Sequence, residues 1–108
     1  MQHVDLSSGR WAKLSIVEQM ANIGSEVIRA LKWRKKNMVF AQAANVRALE
    51  LFDLSLGASV SPGYLKEIAR ARELWLDFFV GSNRYHQTEH QWEKYFMAFT
   101  FAARNTRH

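Results

Sequence analysis

The chain has 108 residues, 48% of them hydrophobic, with no cysteine and a formal net charge of +5. That length makes one domain able to bury its own core. The missing thiols exclude disulfides, cysteine nucleophiles and thiolate metal sites. No apolar run is long enough to span a membrane. Asp5 and Ser7 to Arg10 fall where a signal peptide would need its apolar segment, so the cytoplasm is the expected compartment. A basic balance favours contact with polyanions, nucleic acid first among them.

Residues 1–14 read as an irregular N-terminal arm whose apolar anchors are Val4, Leu6, Trp11 and Leu14, with Trp11 pinned to the body of the protein. Ser15 followed by Glu18 fits a capping box, in which hydroxyl and carboxylate each accept the other residue's amide. Ile16, Met20, Ile23, Val27 and Leu31 then recur at three- and four-residue spacing, predicting a first helix over 15–36. Gly24 interrupts that helix at a cost of about 1 kcal/mol relative to alanine, which close backbone packing would offset. The helix ends on Arg29, Lys32, Arg34, Lys35 and Lys36. Its C-terminal dipole favours cations, but by only a few tenths of a kcal/mol each, which hardly calls for five.

Asn37 marks a turn, and the second helix, 38–56, is the most apolar stretch of the chain. From Val39 to Leu56 only Gln42, Asn45, Arg47, Glu50, Asp53 and Ser55 are not apolar. A helix apolar on nearly every side has to be covered on nearly every side. It is therefore expected at the centre of a bundle, or between its own bundle and a second copy. Gly57 is a natural C′ residue, and the stretch from Gly57 to Ser61 reads as a loop. Ser61 and Pro62 fit N-cap and N1 of a third helix over 62–80, which stops at Gly81. Thr88 to Gln91 repeats the capping box, opening a fourth helix over 89–104 whose apolar face is Trp92, Tyr95, Phe96, Phe99 and Ala103. The tail, 105–108, is expected to fray.

No segment alternates apolar and polar residues, so the expected fold is all-α. Short connections favour antiparallel neighbours, giving an up-and-down four-helix bundle over 15–104. That order brings Lys32, Arg34, Lys35 and Lys36 to one pole with Arg84, Tyr85, His86 and His90, and puts Trp33 and Trp92 near them. Arg10, Lys13, Arg104 and Arg107 fall at the other pole. Cations mixed with flat side chains suit phosphate pairing and base stacking. Lys32, Arg34, Lys35, Lys36, Arg84 and His86 are thus the candidate nucleic-acid contacts, against the simpler account of a solvated helix end.

Arg72 lies inside the apolar arc of the third helix, between Ile68, Phe79, Leu65 and Leu76. A buried arginine requires an acidic partner, and Glu50 and Asp53 on the second helix are the expected ones, within the bundle or across a subunit contact. Glu89 with Glu93, and Glu73 with Asp77, are carboxylate pairs expected on solvated outer faces. No glycine-rich phosphate loop, nucleophile elbow, metal site or cofactor site is visible, so the chain reads as non-enzymatic.

Arg84-Tyr-His-Gln-Thr-Glu-His90 resembles the arginine-x4–6-histidine motif of HEPN-type ribonucleases, small helical bundles that act as dimers. That resemblance implies Arg84 and His90 as RNA-cleaving residues, in a ribonuclease or a toxin–antitoxin component. Tyr85 departs from the small polar residue the family tends to place there. Arg10-Trp11, Glu18 to Glu26, Arg47 to Leu54, Leu65 to Arg70 and Lys94 to Phe96 with Ala102 to Arg104 resemble a group of small bacterial four-helix-bundle proteins with no assigned activity. Leu74 to Gly81, with the helical order, is similar to the accessory variability determinant proteins of diversity-generating retroelements. It is also similar to the four-helix-bundle proteins of ribosomal-RNA intervening sequences. That likeness implies a basic homo-oligomer that binds nucleic acid and, for the accessory proteins, a reverse transcriptase. The leading expectation is an oligomeric nucleic-acid-binding accessory factor, with the ribonuclease and a protein-binding scaffold as alternatives.

Overall fold

A computed structural model describes residues 8–58 and 61–105, so the anchors Val4 and Leu6, the middle of the loop after Gly57 and most of the tail lie outside the described residues. The described chain is all helical: α1 (Ser8–Trp11), α2 (Ile16–Trp33), α3 (Met38–Gly57), α4 (Pro62–Phe79) and α5 (Glu89–Asn105). None of these helices is long and apolar enough to cross a membrane.

α2 is the hub. Its start is fixed by both halves of the capping box: the Glu18 amide donates to Ser15 Oγ at 3.1 Å, and the Ser15 amide donates to Glu18 Oε1 at 3.0 Å. Met20, Ile23, Val27, Ala30 and Leu31 bury one stripe, while Gly24 opens the neighbouring face. A Cβ at Gly24 would stand 2.7 Å from Phe96 Cβ, so the glycine is what lets α5 lie this close. α2 ends at Trp33, three residues earlier than its periodicity suggests. The Lys36 and Asn37 amides both donate to the Trp33 carbonyl, at 2.8 and 2.7 Å, and close a turn. Asn37 is extended and caps α3, its Oδ1 accepting the Val39 and Phe40 amides. Capping the next helix takes residues 34–37 out of the previous one.

α3 packs on α2 through Ala41, Ala44, Ala48, Leu51 and Phe52. The alanines bring the two backbones close and leave the larger side chains of α2 to fill the space. Two contacts fix how α2 and α3 lie along each other, and a third ties α1 to α3. Trp33 meets Phe40 edge-on at 4.8 Å, Arg47 Nε donates to Glu26 at 2.9 Å, and the Trp11 indole donates to Ser55 Oγ at 2.8 Å. The expectation that α3 is enclosed on nearly every side fails within one chain: Val39 is 71% exposed and Val46 54%. Ala41, Ala44 and Ala48 lie fully buried on the sheltered face, while the open flank carries larger apolar side chains, so α2 rather than α3 takes the central place within one chain.

The described end of the arm, from Ser8 onward, is more ordered than its sequence suggests. α1 docks on α3, Trp11 is completely buried, and the Gln19 amide group donates to the carbonyls of Trp11 and Leu14, both at 3.2 Å. α4 begins at Pro62, with Ser61 at the N-cap making no side-chain bond to the backbone. It buries Ile68, Ala71 and Trp75 and packs on α3, where the Trp75 indole donates to the buried Asn45 Oδ1 at 2.7 Å. The α4–α5 loop is pinned by Asn83, whose side chain both donates to and accepts from the Gln87 backbone at 2.9 Å. Thr88 and Gln91 cap α5 reciprocally, at 2.8 and 3.2 Å. Trp75, Phe79, Trp92 and Phe96 then join α4 and α5 to the common core.

Candidate nucleic-acid interface

The basic end of α2 meets the other elements that the sequence places beside it. Lys35 Nζ lies 3.1 Å from Glu89 Oε2 at the start of α5. The Arg34 guanidinium stands 5.0 Å from the Phe78 ring centre and 5.7 Å from that of Phe79, at the end of α4. Arg84 Nε is 3.6 Å from Asp77 Oδ1, and its guanidinium covers Tyr85, whose ring Arg70 also approaches. His86 is exposed and holds a positive φ of 52°. Arg34, Lys35 and Arg84 are therefore engaged locally, by rings or carboxylates, which lowers what each can offer a phosphate. Trp92 is only 4% exposed and sits in the core, so it is no surface platform for a base.

The freer positive charge lies along the flank of α2. A groove of about 610 Å³ between α2 and α5 is lined by Arg29 and Lys32 from α2, Lys36 from the turn that follows it and Arg104 from α5, with Trp33 and Phe101 among them. No carboxylate lines it. Arg29 bonds Glu26 at 2.7 Å through one edge while its side chain stays 53% exposed, and Lys32 and Lys36 have no acidic partner among the described residues. Arg104, which linear order assigns to the far pole, shares this groove. The signal for it was hidden because pole assignment follows position along a helix, whereas a groove follows the face.

Residues missed by sequence reasoning hold this surface in place. Glu26 is buried and takes both Arg29 and Arg47, so one carboxylate fixes the groove wall and ties α2 to α3. Its position on the buried side of the α2 wheel was the available clue.

No family model, curated protein or solved structure matches the chain.

The other candidate residues are placed as follows. Arg72 Nε bonds Asp53 Oδ1 at 3.0 Å, with the two side chains 31% and 60% exposed. The pair is a surface one, and Glu50 is outside it. With 31% of its side chain exposed, Arg72 is open to water rather than enclosed in the apolar arc. Asp77, expected on a solvated face, is 8% exposed in its side chain and accepts from the Tyr85 amide as well as meeting Arg84. Glu89 is bound to Lys35. His90 lines a shallow depression on α5 with Glu93, Lys94 and Met97, while Arg84 turns to α4. No group of three metal-ligating side chains occurs among the described residues.

Proposed function

We propose that this chain is a non-enzymatic nucleic-acid-binding helical protein whose contact surface is the basic groove between α2 and α5. The observation that carries the reading is the groove's lining: Arg29, Lys32, Lys36 and Arg104 beside Trp33 and Phe101, with no carboxylate. Phosphates pair with the cations, and exposed bases stack on the flat side chains. Lys35, Arg34, Arg84 and His86 extend the positive field at the pole without being the primary contacts.

In this reading the four long helices run antiparallel, an order supported by the Lys35–Glu89 bridge and by Arg34 over Phe78. The protein also self-associates, covering the α3 flank that carries Val39 and Val46. A reverse transcriptase is the partner that the distant likeness to accessory variability determinants implies.

The experiment is a fluorescence-anisotropy titration of a labelled oligonucleotide across a salt series. Engaging four phosphates on a single strand gives a log–log salt slope of about −3. Lys32→Glu with Lys36→Glu weakens binding by at least about tenfold at low salt. Absence of binding at low salt, or an unchanged affinity in the double variant, defeats the reading.

A further inference from the structure

We propose a second, separate site: the groove between α4 and α5 binds an amphipathic carboxylic acid, an apolar chain or ring system ending in one anionic group. The groove encloses about 570 Å³, within the usual range of small-ligand sites, and belongs to a different face from the basic groove. It exists because α4 packs on α3 and α5 packs on α2, leaving the two helices splayed from each other. Leu74, the indole of Trp92 and the ring of Tyr95 form its apolar walls.

Its charge is directional. Lys66 and Arg70 stand on the α4 side, and neither has an acidic partner among the described residues. The one carboxylate of the lining, Glu67, accepts the Tyr95 phenol at 2.8 Å and keeps its negative charge, so with two cations against one anion the lining stays net positive. Two cations above an apolar trough select a ligand with one acid group and a long apolar body, and disfavour a cation of the same shape. Trp92 adds an independent observation: it is 4% exposed, lines the groove, and its indole N–H has no acceptor among the described residues. That nitrogen is itself covered, so a ligand acceptor reaches it only by displacing the side chains over it, and the hydrogen bond is then gained rather than exchanged.

The test uses the full chain, with the tryptophan indole N–H signals assigned by NMR, and submicellar dodecanoate as the probe. Dodecanoate is expected to shift the Trp92 indole signal saturably while leaving that of Trp11 in place. Arg70→Glu or Lys66→Glu, both at exposed positions, weakens this binding by about tenfold, and so does replacing the probe with dodecyltrimethylammonium. Gln42→Glu, at an exposed position of α3, leaves it unchanged. An unmoved Trp92 signal overturns the proposal, as does equal affinity for the two surfactants or indifference to both charge reversals. A shift produced by an amphipathic helical peptide but not by dodecanoate also overturns it, and makes the groove a protein-docking seat instead.

Discussion

Gly24 shows how much one missing side chain decides. The helix pattern exposes its cost at once, and the structure supplies the reason in the ring of Phe96 packed on its α-carbon. Gly24→Ala gains about 1 kcal/mol of helix propensity but forces the two helices apart, for a net loss of about 1–2 kcal/mol in urea unfolding. Combining it with Phe96→Leu recovers part of that loss. Tyr95 makes the second residue-scale case. Burial, reinforced by its hydrogen bond to Glu67 and that residue's negative charge, holds the phenol well above its ordinary range. The unfolded chain releases this proton near pH 10 and the folded one only above that, so the folded state binds more protons there. Stability from Tyr95 is complete below about pH 10 and falls as pH rises past it. Tyr95→Phe should flatten that part of a pH–stability curve, measured against the parent chain. The sequence marked Tyr95 as apolar-face only, because its partner lies 28 positions away on another helix.

The capping-box starts of α2 and α5 were legible, and the side chains that join one helix to another were not. Ser15 with Glu18 and Thr88 with Gln91 are local signals, complete within four residues, and each forms both of its bonds. The interior pairs that decide which helix touches which are non-local: Trp11 with Ser55, Trp75 with Asn45, Glu26 with Arg47. No periodicity announces them. Glu26 concentrates the energetics of the α2–α3 contact, since Arg47 is 15% exposed in its side chain and has no other acidic partner among the described residues. Glu26→Ala strands that guanidinium and costs about 3 kcal/mol. Arg29→Ala, at a half-exposed bridge, costs under about 1 kcal/mol. Chemical denaturation of the two variants separates the contributions. The Arg72–Asp53 bridge, being open to water, belongs with the second kind.

At the scale of the molecule, the all-helical fold was readable from periodicity. The apolar residues of the second helix called for cover on nearly every side; one chain covers the face of Ala41, Ala44, Ala48, Leu51 and Phe52 and leaves open a flank of α3 with Val39 and Val46. If that flank pairs with a second copy, Val39→Asp with Val46→Asp converts the assembly to single chains in sedimentation equilibrium while leaving the helical signal intact. The engagement of Arg34, Lys35 and Arg84 by rings and carboxylates was invisible in linear order, and it moves the weight of the candidate interface onto Lys32 and Lys36. The buried indole of Trp11 has a practical corollary for anyone trimming this domain. A fragment beginning at Ser15, where helical periodicity starts, would leave a hollow against the far end of α3 and strip Ser55 and Gln19 of bonding partners. The smallest autonomous folding unit therefore begins upstream of that tryptophan.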